Sequence, residues 1–151
     1  MRIIIVMLLA ILGLVSTAFA HEHHPPHKGV LIVLGEEFAH LELVLDSATG
    51  NLTAFSLDGE AENAVALTQK DIVFKITTSG ERETEISLKA VENPLTGETM
   101  GNTSEFSAQS DSLKGVIKFF GIITDVMSKG QEFKNVAFSF PEGNDHENKG
   151  K

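Results

Sequence analysis

The chain has 151 residues, contains no cysteine, tryptophan or tyrosine, and carries a formal net charge of −9 at pH 7. A chain this acidic is a poor partner for nucleic acid and for anionic membrane surfaces. Without cysteine there are no disulfides and no thiolate metal sites, so a single domain of ordinary size has to be held together by packing.

The first 20 residues have the pattern of an export signal. Arg2 precedes an apolar run over residues 3–15, and small residues follow as far as Ala20. This order is typical of a secretory signal peptide. A retained membrane anchor is the alternative, but the run is shorter than the roughly 20 apolar residues that a span needs. We therefore expect cleavage after Ala20, no membrane span in the mature form, and a periplasmic or secreted location.

Four of the six histidines lie directly behind this signal. They are His21, His23, His24 and His27. A free amine at position 21 and an imidazole two residues later favour a plane of nitrogens around Cu(II) or Ni(II), and several loose imidazoles also suit Zn(II). Because Pro25 and Pro26 prevent helix formation, we expect residues 21–28 to form a flexible arm. The alternatives are a solvated spacer and a pH-responsive element, since imidazole titrates at about pH 6.5.

From residue 29 onward the apolar residues recur with a period of two, which indicates β-strands. The candidate strands cover residues 30–34, 38–46, 52–58, 65–67, 72–77, 86–90, 105–108, 116–127 and 132–140. Turn residues separate them at intervals of about 8–12 residues, the spacing of a sandwich or barrel. We predict an all-β fold, a single antiparallel β-sandwich of about eight strands over residues 29–141. Residues 142–151 form a polar tail that we expect to be disordered.

Within this predicted body, His40 and Glu42 are a second candidate for metal binding. Residues two apart on a strand share one face and lie roughly 7 Å from each other. Both side chains could hold one cation, with His27 folding back from the first strand to join them. The alternative is that they occupy the solvated face of a half-buried strand, where polar residues are expected.

Three segments carry a resemblance to known proteins. They are residues 27–35 (HKGVLIVLG), 40–46 (HLELVLD) and 50–58 (GNLTAFSLD). Over about residues 27–70 the chain is similar to small exported His-rich β proteins and to β-segments of periplasmic heavy-metal efflux adaptor subunits. The resemblance implies a β-rich fold and metal handling in the periplasm, with His27, His40 and Glu42 at the matching positions. Lys28 departs from the pattern, which has glycine there, and the long helical hairpin of an adaptor is missing.

No catalytic signature is present, since the sequence has no G-x-S-x-G, H-E-x-x-H or glycine-rich phosphate loop. We therefore expect no enzyme and predict an exported metal-binding protein that buffers or delivers copper, zinc or nickel at the cell envelope. Its partners would be the metal ion and a metal efflux or envelope protein. His21 and His23 would be the main ligands, His24 and His27 auxiliary ones, and His40 and Glu42 a second or shared site. The alternative is an envelope protein–protein interaction module whose arm is only a solvated leader.

Overall fold

The computed structural model describes residues 24–80 and 83–144, so the predictions for the signal peptide, for His21 and His23 and for most of the tail lie outside the described residues. The described chain forms eight strands and one short 3-10 turn, Asp111–Leu113. The strands are β1 (Val30–Leu34), β2 (Ala39–Asp46), β3 (Asn51–Leu57), β4 (Asp71–Thr78), β5 (Glu83–Ala90), β6 (Glu105–Gln109), β7 (Phe119–Ser128) and β8 (Gln131–Phe140). The all-β fold of eight antiparallel strands expected from the sequence is confirmed.

All eight strands belong to one sheet with the order β1-β2-β3-β6-β5-β4-β7-β8. Every neighbouring pair is antiparallel. The sheet curls until β1 and β8, its two end strands, approach each other, so it is nearly closed. The candidate strand at residues 65–67 is wrong: Leu67 makes only a single bridge with Thr103. The short apolar stretch there is too brief to build a ladder of its own.

One core lies inside the curled sheet, and every strand contributes to it. Strand β4 shows the pattern that the alternating sequence predicts, with Ile72, Phe74 and Ile76 buried and the side chains between them half-buried. Burial of each such side chain contributes about 1.5–3 kcal/mol relative to exposure. Hydrophobic packing of this kind holds the body together without disulfides.

In strands β7 and β8 one face is buried in the first half of the strand and the opposite face is buried in the second half. In β7 the buried positions pass from Ile123 to Val126, while the pairing register with β8 stays the same. Thr124 lies opposite Asn135 at this point, where the ladder is interrupted and Asn135 has φ 52°. On both strands the buried positions change face across this interruption.

Strand β2 differs from β4 because both of its faces are buried. Leu41 and Leu43 face the core, and on the opposite face His40 and Glu42 are 1% and 0% exposed. The interpretation of a solvated polar face is therefore wrong for these two residues. Other parts of the chain cover this face of β2, so its polar side chains have to find hydrogen-bond partners within the protein.

Candidate functional site

The candidate site is built around the carboxylate of Glu42, which lies on the outer face of β2. Its Oε1 accepts hydrogen bonds from the backbone N–H of His27 at 2.8 Å and from that of Gly29 at 2.7 Å. Its Oε2 lies 2.8 Å from Nδ1 of the His27 imidazole. A carboxylate is tolerated in a buried position only when hydrogen bonds replace its hydration. These three contacts do so, and they tie the segment before β1 to β2.

A tight turn brings this segment back onto β2. The N–H of Lys28 donates to the carbonyl of Pro25 at 3.1 Å, which closes the turn. Lys28 has φ 60°, a left-handed conformation that glycine adopts far more easily. The lysine therefore occupies a backbone position that favours glycine.

Gly29 has to be glycine because the chain passes very close to β2. A Cβ atom at this position would lie 2.8 Å from Cγ of Glu42 and 2.7 Å from the carbonyl oxygen of Leu43. Any larger residue would push the segment outward. The hydrogen bond from the N–H of Gly29 to Glu42 depends on this close approach.

The imidazole of His27 is held from two sides. It stacks on the ring of Phe55 from β3, with 3.7 Å between ring centroids and 9° between ring planes. Since a carboxylate only accepts hydrogen bonds, Nδ1 carries the proton that points to Glu42. In the neutral ring Nε2 is then the nitrogen with a lone pair. The His27 side chain is 44% exposed, so the ring is anchored without being enclosed.

This arrangement is the one in which proteins commonly hold a metal-ligating histidine. Such a histidine donates its second ring N–H to a carboxylate, which fixes the tautomer and makes the ligating nitrogen more basic. The pair of His27 and Glu42 can therefore present one oriented nitrogen to Zn(II), Cu(II) or Ni(II). Within residues 24–80 and 83–144, no three His, Asp or Glu side chains lie together so as to hold an ion. Further ligands would have to come from other parts of the chain.

His40 belongs to a different contact. Its Nδ1 donates to the carbonyl oxygen of Asp58 at 3.0 Å, which joins β2 to the turn after β3. The side-chain amide of Asn63 and the backbone N–H of Glu62 donate to the Asp58 carboxylate and lower its pKa below the usual value. The structure thus joins His27 and Glu42 by a hydrogen bond and places His40 in a separate structural contact. His24 lies at the exposed start of the described chain.

An open cavity of about 370 Å³ lies beside the imidazole of His27. Phe55 and Leu57 supply apolar wall, and Glu98 and Glu105 supply acidic groups. The hydroxyl of Ser104 donates to Glu98 at 2.5 Å and its backbone N–H donates at 2.8 Å, which together lower the pKa of Glu98 below its ordinary 4.5. Glu98 is therefore anionic at neutral pH and adds to a negative potential around the cavity.

Sequence reasoning missed Phe55 and Glu98. Phe55 lies within the candidate strand over residues 52–58 without being singled out there, and Glu98 lies in a loop far from His27 along the chain. The pairing of β3 with β6 and the loop before β6 bring them to the cavity. No local pattern in the sequence carries this information.

In the described part of the chain, no helix has the length and apolar character needed to cross a membrane. Comparison of the chain with known proteins gave no matching family model, no matching curated protein and no matching solved structure.

Proposed function

We propose that this protein is an exported, non-enzymatic metal-binding protein that takes up copper, zinc or nickel and buffers or delivers the ion at the cell envelope. One observation carries the proposal: the buried carboxylate of Glu42 accepts the Nδ1 proton of His27 at 2.8 Å. This contact supports a ligand role because it leaves Nε2 as the free nitrogen of an oriented ring. His27 is also the last residue of the histidine-rich segment, so further histidines precede it closely along the chain.

Anchoring of His27 makes the remaining ligands easier to assemble. One histidine of the segment is already fixed on Phe55 and Glu42. An ion that binds Nε2 of His27 then starts from one ligand that is already fixed, which lowers the entropic cost of assembling the site. Along the chain, His24 is the nearest of the other histidines to His27, and His21 and His23 precede it. The net charge of −9 and the acidic cavity wall favour a cation at this place.

The test is a calorimetric titration of the protein that begins at His21, with its first residue verified by mass spectrometry. Zn(II), Cu(II) and Ni(II) are titrated separately at pH 7. We expect tight binding of at least one of them and a loss of about 10-fold or more in affinity for His27→Ala. His146→Ala, which removes a histidine from the tail, is the matched control and should bind as the wild type does. Absence of binding, or wild-type affinity in His27→Ala, contradicts the proposal.

A further inference from the structure

The seam between β1 and β8 is covered by the residues that follow β8. Asn144 reaches across the seam, and its side-chain Oδ1 accepts the N–H of Val33 at 2.7 Å. Its Nδ2 donates to the carbonyl oxygen of the same residue at 3.0 Å. The side-chain amide therefore makes both hydrogen bonds that a residue of a neighbouring strand would make. We call residues 141–144 the strap.

The strap is fastened to β8 and pressed against β1. Ser139 and Gly143 exchange two backbone hydrogen bonds, 2.6 Å from the N–H of Gly143 and 3.0 Å from that of Ser139. Gly143 has φ 79°, and a Cβ atom there would collide with the carbonyl oxygen of Leu31. Leu31 and Val33 are alternate residues of β1, so their backbone groups point to the same side, away from β2. The strap thus lies along the outer edge of β1.

This edge needs a cover because of its sequence. Strand β1 reads VLIVL and has no charged or polar side chain. Uncharged edge strands of high β-propensity pair readily with other strands, and proteins usually protect them with charges, prolines or covering segments. In β1 the cover consists of one side-chain amide and one glycine turn, and β8 lies close beside the strand.

We propose that the strap is a releasable cover of the β1 edge, and that its release, with separation of β8 from β1, allows β1 to pair antiparallel with β1 of a second copy of this chain. The edge is self-complementary, because antiparallel pairing about a two-fold axis places the same uncharged strand on both sides. No side-chain charge within β1 opposes this pairing. The net charge of −9 on each copy repels over a longer range, so added salt favours the dimer.

The experiment measures the mass in solution of Asn144→Asp at several protein and salt concentrations. Aspartate keeps the shape of the side chain but places a second oxygen against the carbonyl of Val33, so it should release the strap. We expect a monomeric wild type, and a dimer of the variant whose share increases with protein concentration and with salt. Asn102→Ala, which alters an exposed asparagine elsewhere, should remain monomeric. A folded Asn144→Asp that is monomeric under every condition overturns the proposal.

Hydrogen exchange keeps the test decisive if the variant does not fold. In the wild type, the amide of Val33 should exchange through local opening at least about 10-fold faster than the amide of Ile32, which faces β2. Exchange of both amides only by global unfolding would show that the strap does not open. In a dimeric variant the amides of Leu31 and Val33 should be protected, and a dimer that leaves them unprotected contradicts pairing through β1.

Discussion

Strands β2 and β4 have similar alternating sequences, yet their outward-facing acidic residues are in opposite environments. Asp71 of β4 lies on the surface, where it pairs with Lys89 at 2.6 Å and both side chains are well exposed. Glu42 of β2 is fully buried beneath the segment before β1. The sequence of the strand does not determine whether its outward-facing acidic residue is buried or exposed. The residue is buried only where another part of the chain folds over the outer face of the strand.

This difference in burial determines how much each residue contributes to the free energy of unfolding. A solvated pair such as Asp71 and Lys89 contributes roughly 0–1 kcal/mol to stability. When one partner of a buried hydrogen bond is removed, the donor or acceptor that remains is unsatisfied. Each such group lowers the free energy of unfolding by about 1–3 kcal/mol. The comparison therefore predicts that chemically similar substitutions on the two strands have very different consequences.

The largest effect is expected for Glu42→Ala. The substitution leaves the N–H groups of His27 and Gly29 without their acceptor and opens a cavity on β2. We expect the free energy of unfolding, measured by urea denaturation, to fall by about 3 kcal/mol or more. Asp71→Ala is the matched control and should lower it by no more than about 1 kcal/mol. Equal losses in the two variants would remove the distinction between the strands.

The second effect concerns metal affinity in Glu42→Gln. Glutamine has the size of glutamate but only one acceptor oxygen, so it cannot accept from both backbone N–H groups and from Nδ1 of His27 at once. We expect the affinity for the bound ion to fall about 10- to 100-fold while the protein stays folded. Calorimetric titration beside Asp71→Asn, whose affinity should not change, checks this. Unchanged affinity in Glu42→Gln would mean that the carboxylate only holds the chain in place.

A smaller effect is expected on the pH dependence of the stability. Hydrogen bonds from the Lys89 ammonium and then from the Ser87 hydroxyl lower the pKa of Asp71 below its ordinary 3.8. Because the folded pKa is the lower one, the stabilisation is present above pH 3.8 and is lost as the pH falls through the folded value. Asp71→Asn should therefore lose stability less steeply than the wild type at low pH. Urea denaturation over a pH series checks this, and parallel curves would contradict it.

The smallest effect is expected for Lys28→Gly. Lys28 has φ 60° in the turn that brings His27 to Glu42. Glycine removes a strain of about 1 kcal/mol, so the variant should be more stable by up to that amount. Lys118→Gly, at an exposed position before β7, should give no gain. A less stable Lys28→Gly would show that the lysine side chain makes a contribution of its own.

Much of the sheet could be predicted from the sequence, because alternation and turn residues are local signals. The bounds of six strands lie within one residue of the predicted ones: β1, β2, β3, β4, β6 and β8. The sequence suggested that His27 folds back to share a cation with His40 and Glu42, but not the hydrogen bond between His27 and Glu42. The burial of the outer face of β2 was not anticipated, because it depends on how the segment before β1 folds back.

The remaining features depend on distant pairing. The order of the strands, with β3 beside β6, has no local signature and brings Phe55 and Glu98 to the same cavity. The expectation for the tail missed that Asn144 packs on Val33, because a side chain that replaces a strand has no periodic pattern. Both features follow from contacts between residues that are far apart in the chain.

The most direct test of the account is a long-range ¹H–¹⁵N NMR spectrum of the His27 imidazole before and after addition of Zn(II). Without metal, we expect Nδ1 to carry a proton, as its hydrogen bond to the Glu42 carboxylate requires. On addition of Zn(II), the Nε2 resonance should move to the range of a metal-bound nitrogen while Nδ1 keeps its proton. A ring whose only proton is on Nε2, or an Nε2 resonance that Zn(II) leaves unchanged, would contradict the account.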